Sequence, residues 1–133
     1  MSTTGVIIVS HSEQLAAGVA ELVTEMGNDQ VIIKAAGGTG DGRIGTNALR
    51  IQKTIESLAD CSHILVYCDL GSSIISTETA IDLLDDDDLA DKVHLVDSPL
   101  VEGAFAGVVQ ATITDDVDEI MATSEKARNL HKI

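Results

Sequence analysis

Four short apolar runs rich in β-branched residues, separated by stretches of helical periodicity, constrain this chain more than any other feature. GVIIVS at 5–10 is too short for a helix and apolar throughout, which fits a strand buried on both faces. QVIIKAA at 30–36, SHILVYCD at 62–69 and VHLVD at 93–97 repeat the pattern. After the first run, Ser10 or Ser12 caps a helix in which Leu15, Val19, Leu22, Val23 and Met26 share one face, until Gly27 ends it. Further helices are predicted over 47–59, 73–84, 100–113 and 116–130. The second carries Ala48, Ile51, Ile55, Leu58 and Ala59 on its apolar face; the fourth carries Val101, Phe105, Val108, Val109 and Thr112.

Strand and helix in strict alternation require parallel strands joined by right-handed crossovers. The expectation is therefore a doubly wound α/β domain over residues 1–133, mainly parallel, with strand order 2-1-3-4 and helices on both faces. Strands one and three are then neighbours whose helices leave toward opposite faces. The crevice beyond their carboxyl ends is where such folds place their sites, which directs attention to residues 10–13 and 69–73.

The chain carries 22 acidic against 8 basic residues, a net charge of −14. That charge argues against nucleic acid and anionic membranes as partners and in favour of basic protein surfaces. Aromatic residues make up only 2%, so stacking platforms for bases or sugars are nearly absent. No apolar run approaches the roughly 18 residues of a membrane span, and no secretory leader is recognisable, so a cytoplasmic protein is expected. Cys61 and Cys68 fall on or beside one strand, at a spacing that suits neither a disulfide nor a zinc pair, and read as core thiols.

VSHS at 9–12 places His11 at the carboxyl edge of the sheet, just before a helix. Ser10 and Glu13 have capping-box spacing. Free N–H groups and the positive end of the helix dipole favour a phosphate dianion there and keep the imidazole neutral and nucleophilic. Asp69 ends strand three and is followed by Leu70, Gly71, Ser72 and Ser73 at another helix start. If Asp69 accepts the Nδ1 proton of His11, Nε2 is the attacking atom and the carboxylate stabilises the charge that develops. Phosphoryl transfer needs little more than an aligned nucleophile and donors around the equatorial oxygens. Ser72 and Ser73, with the loop GGTGDGRIGT after strand two, are the candidate donors. Gly37, Gly38, Gly40 and Gly42 allow that loop a close approach.

The remaining motifs carry less. The glycine loop lacks the Lys of a P-loop and the spacing of a dinucleotide fingerprint. His63 and His94 fall at the opposite edge of the sheet, and His131 lies in the tail. DLLDDDDLAD at 82–91 has no calcium-loop spacing and reads as a solvated turn.

VSHS at 9–12, the glycine loop with IGTNA at 44–48, CDLGSSIISTETA at 68–80 and PLVEG at 99–103 together resemble the mannose-class IIA domains of the bacterial phosphoenolpyruvate phosphotransferase system. Within that class the chain is most similar to the branch that serves dihydroxyacetone kinase. Relatives in sugar transporters typically carry Trp-Gly-Gly-Ser after the strand-end Asp, where this chain has Leu70-Gly71-Ser72-Ser73. The resemblance implies a phosphotransferase subunit in which His11 is the phosphohistidine and Asp69 orients it. Gly38, Thr39, Gly71, Ser72 and Ser73 would bind the phosphoryl group. It further implies phospho-HPr as donor, ADP on the DhaL subunit as acceptor, DhaK as the subunit holding dihydroxyacetone, and a homodimer. No cofactor or metal is expected. A mannose-class transporter IIA domain, a non-catalytic nucleotide- or flavin-binding module and a receiver-type domain are the competing readings. The last wants an acidic pair after strand one and a Lys at a late strand end, neither of which is present.

Overall fold

The computed structural model describes residues 2–133. Four strands, β1 (Thr4–Ser10), β2 (Val31–Gly37), β3 (His63–Cys68) and β4 (Val93–Val96), form one sheet in the order β2-β1-β3-β4. Every pairing is parallel, as the alternating sequence requires. Helices α1 (Glu13–Thr24), α2 (Ala48–Glu56), α3 (Gly71–Asp82), α4 (Asp87–Asp91), α5 (Leu100–Ala111) and α6 (Val117–Glu125) cover it, and a 3-10 turn spans Lys126–Asn129. None of the described helices is long and apolar enough to cross a membrane.

β1 is buried along its whole length because it feeds both cores. Val6 and Ile8 point into a core completed by Val19 and Val23 of α1 and Val108 of α5, while Ile7 and Val9 point into one completed by Ile51 and Ile55 of α2. Period-two alternation thus splits a uniformly apolar run between two layers. Cys61 and Cys68 are free, buried thiols, and burial pushes both up from their ordinary pKa.

The helix faces differ from the periodicity reading in three places. On α1 the buried residues are Ala16, Val19 and Val23, whereas Leu15, Leu22 and Met26 are exposed. On α5, Gly103, Ala104, Gly107, Val108 and Ala111 face inward, and Val101, Phe105 and Val109 face outward. On α2, Ile51 and Ile55 are buried, and in the turn that follows the helix Leu58 is buried but Ala59 is exposed. The α5 result follows from Tyr67, the one aromatic residue of the sheet, whose hydroxyl reaches Ser124 of α6 at 2.7 Å. A Cβ at position 107 would come within 2.1 Å of that hydroxyl, and one at position 103 within 2.1 Å of Ser98 Oγ. Only small residues let α5 lie this close.

Two local readings are corrected as well. Ser12 alone caps α1, accepting from Leu15 N at 3.1 Å, so Ser10 and Glu13 form no capping box. The acidic run is not only a turn, because it contains α4: Asp86 caps it, Asp87 and Asp88 sit in its first turn, and Leu89 anchors it in the core. Carboxylates in a first helical turn match the positive end of the dipole.

Candidate functional site

The carboxyl ends of β1 and β3 bring His11 and Asp69 together. His11 Nδ1 lies 2.9 Å from Asp69 Oδ1, and their side chains are only 19% and 12% exposed. The same carboxylate accepts from Leu70 N at 2.7 Å, Ser10 Oγ at 2.8 Å and His11 N at 3.1 Å. Burial is the largest single influence on this carboxyl and would raise it, but the hydrogen bonds from the His11 ring, Ser10 and the two main-chain N–H groups outweigh it and bring the pKa down to about 2. Asp69 is therefore an acceptor only, which requires the proton on Nδ1 of His11 and leaves a lone pair on Nε2.

Nε2 faces Ser72 in the first turn of α3, whose hydroxyl is in hydrogen-bonding contact with it. The N-cap of α3 is Leu70, which makes no side-chain cap bond. The first-turn amides of Gly71 and Ser72 are thus left for a ligand, and a helix N-terminus with free N–H groups suits a phosphoryl group. Leu70, 65% exposed, borders the site, and beside Asp69 opens a cleft of about 330 Å³ lined by Ile74, Leu95, Asp97 and Ser98.

The other residues singled out from sequence have different tasks. Ser73 is buried; its hydroxyl and N–H both bond to the Leu70 carbonyl, so neither is free for a phosphoryl group. The N–H of Gly38 donates to Ser10 O at 3.0 Å, and the Thr39 hydroxyl is bound to Asp41. These two shape the glycine loop rather than offering donors. His63 and His94 sit at the far edge of the sheet, bonded to each other at 3.2 Å.

Three contacts escaped the sequence reading. Ser10 is wholly buried and supports Asp69 while accepting from Ser12 N at 3.0 Å. Gly45 N donates to His11 O at 2.8 Å, closing the glycine loop over the site. Thr46 Oγ1 meets Ser76 Oγ at 2.6 Å, tying that loop to α3. Only Ser10 left a signal in the sequence, as a polar residue ending an apolar run.

A family model described as the PTS system fructose IIA component, EIIA-man, matches residues 5–121. The phosphoryl donor subunit DhaM of PEP-dependent dihydroxyacetone kinase 2 from Listeria innocua is 43% identical over 126 residues, covering 95% of this chain and 98% of that protein. The DhaM subunit from Providencia stuartii is 48% identical over 92% of this chain, but the match spans only 26% of that longer protein. Among solved structures, the unknown-function protein EF1359 superposes with a TM-score of 0.85 at 36% identity, over 93% of this chain and 94% of that one. The EIIA component from Streptococcus agalactiae matches with a TM-score of 0.66 at 14% identity over 98% and 97%, a likeness of fold. The chain belongs to the EIIA-man family of phosphotransferase-system IIA components, and within it to the phosphoryl donor subunits, DhaM, of PEP-dependent dihydroxyacetone kinase.

Proposed function

We propose that this chain is a histidine phosphocarrier in which Nε2 of His11 takes a phosphoryl group from phospho-HPr and passes it to ADP held on a DhaL subunit. The ATP so formed would phosphorylate dihydroxyacetone bound to DhaK. The observation that carries this reading is the 2.9 Å contact from Nδ1 to Asp69, which turns the free nitrogen toward Ser72 and the uncapped start of α3.

In the first transfer the Nε2 lone pair forms a bond to phosphorus while the bond from phosphorus to the donor's imidazole breaks and its electron pair stays with that ring. The His11 ring becomes cationic, and Asp69 stabilises it through the shared Nδ1 proton. The Ser72 hydroxyl turns from Nε2 to a phosphoryl oxygen, joined by the Gly71 and Ser72 amides. In the second transfer a terminal phosphate oxygen of ADP attacks phosphorus, and the electron pair of the broken bond returns to Nε2. Exposed apolar residues around the site, Leu70, Ile44 and Ile75, suit docking of a partner protein, and the charge of −14 suits a basic one. The chain would act in the cytoplasm as one domain, and as a homodimer.

Intact mass after incubation with phosphoenolpyruvate, enzyme I and HPr tests the reading. One acid-labile phosphoryl adduct is expected on the wild type and none on His11→Ala. An adduct that survives in His11→Ala would remove His11 from the mechanism. Discharge of the adduct by DhaL with ADP, followed as ATP formed, tests the acceptor.

A further inference from the structure

Asp69, His11 and Ser72 form one continuous chain of hydrogen bonds. The carboxylate takes the Nδ1 proton at 2.9 Å, and Nε2 is in contact with the Ser72 hydroxyl. Because Nδ1 carries the ring proton, Nε2 has only a lone pair to offer, and the hydroxyl is the donor. The O–H bond of Ser72 is thus aimed at a base whose protonated form a largely buried carboxylate stabilises. This is how a serine oxygen is activated as a nucleophile, an arrangement defined by geometry and role rather than by chain order. Carrying a phosphoryl group accounts for His11 and Asp69, but it does not require a hydroxyl resting on the nitrogen itself.

The surroundings supply what else acyl transfer needs. Ser72 is exposed, in the first turn of α3 directly after Gly71. The N–H groups of these two residues precede the first intrahelical bond and bond to no other described residue. Such a pair can hold a carbonyl oxygen as it becomes an oxyanion. The cleft of about 330 Å³ beside Asp69 has Gly71 in its wall and Leu70, Ile74 and Leu95 as apolar lining, room for a short acyl chain. Asp97 in the same wall and the net charge of −14 disfavour a substrate that bears a carboxylate. Phosphoryl transfer from His11 to Ser72 is a poor use of the contact. In-line displacement wants the attacking oxygen opposite the leaving nitrogen, whereas Oγ lies against that nitrogen.

We propose that the unphosphorylated protein also hydrolyses small neutral esters, with Ser72 as nucleophile and His11 as its general base. Ser72 Oγ bonds to the acyl carbon and gives its proton to Nε2, while the carbonyl π pair moves onto oxygen, held by the Gly71 and Ser72 amides. The pair then returns, the bond to the alcohol oxygen breaks, and the alcohol leaves with the proton from Nε2. Water next gives a proton to Nε2 and attacks the acyl carbon on Ser72. The second collapse returns that proton to Oγ and releases the carboxylic acid. A phosphoryl group on Nε2 would take away the lone pair, so the activity belongs to the unphosphorylated protein.

An alkyl fluorophosphonate and p-nitrophenyl butyrate test this with no phosphoryl donor present, so failure here and failure of the phosphocarrier reading are separate results. Intact mass and peptide mapping should show one fluorophosphonate adduct, on Ser72, in the wild type and none in Ser72→Ala or His11→Ala. Hydrolysis of the ester should exceed the buffer rate in the wild type and fall to it in both variants. Ser72 is exposed, so its replacement should leave the circular dichroism unchanged. A wild type that takes no label, or takes it on another residue, would overturn the proposal. So would a Ser72→Ala variant as fast as the wild type, since the His11 ring would then be attacking the ester unaided.

Discussion

Asp69 holds His11 at two points, accepting from the ring at Nδ1 and from the main-chain N–H of the same residue. Ring orientation and strand-end backbone are therefore fixed by one carboxylate, and the tautomer is fixed with them. Replacing Asp69 by Asn keeps the shape but removes the charge that, in the proposed transfer, would balance a cationic His11 ring. Phosphorylation of His11 in Asp69→Asn should fall by roughly 10²–10⁴-fold, the range for a positioned acid–base partner. Single-turnover transfer from phospho-HPr checks it; an unchanged rate would mean that the charge is not used.

The same carboxylate contributes to stability with a defined sign. Its folded pKa of about 2 lies below the ordinary carboxylate value of 3.8, so the contribution is fully present above about pH 4 and is lost as pH falls through about 2. At 1.36 kcal/mol per unit this amounts to about 2 kcal/mol. Urea midpoints measured from pH 5 to pH 2 should fall more steeply for the wild type than for Asp69→Asn.

Ser72→Ala removes the hydroxyl that faces Nε2 and leaves the α3 amides in place. A single lost donor to a developing phosphoryl charge costs on the order of 10²-fold in rate. The adduct on His11 should form slowly in this variant but to the same extent in the end. Failure to form it at all would mean that Ser72 positions the ring itself.

The strand order and the pairing of His11 with Asp69 were legible because they depend on where apolar runs stop, and β1 and β3 stop at Ser10 and Cys68. The helix faces were less legible. Periodicity weighs side chains by hydrophobicity, but α5 is seated by clearance, and Gly103 and Gly107 fit against Ser98, Tyr67 and Ser124 where Val101 and Phe105 would not. The supporting donors of the site were hidden for a similar reason. Whether Gly38 or Ser73 offers its N–H to a ligand depends on a carbonyl already within reach, Ser10 for one and Leu70 for the other.

Gly37 is the point where β2 passes under the first turn of α1. A Cβ there would lie 2.6 Å from Ala16 Cβ, 2.7 Å from Ser12 O and 2.9 Å from Glu13 Cα, two of them main-chain atoms that cannot swing aside. Gly37→Ala should lower stability by about 1–3 kcal/mol, the usual cost of overpacking. It should also slow phosphorylation, because the displaced turn carries Ser12, next to His11. A melting temperature equal to the wild type would show that α1 shifts freely over the sheet.

The far edge of the sheet should respond to mild acid. His94 is half-buried beside His63, and burial first, then the neighbouring imidazole, hold its pKa below the ordinary value of 6.5, against a smaller opposing pull from Asp118. A group whose folded pKa is depressed binds protons more readily when unfolded, so stability rises with pH across that window. The contribution is complete above pH 6.5 and is lost as pH falls below 6.5 through the folded value. His94→Gln removes the titrating ring while keeping a polar group against His63. Urea midpoints between pH 7.5 and 5 should drop for the wild type and stay nearly level for the variant, and parallel curves would mean that His94 protonates without cost to the fold.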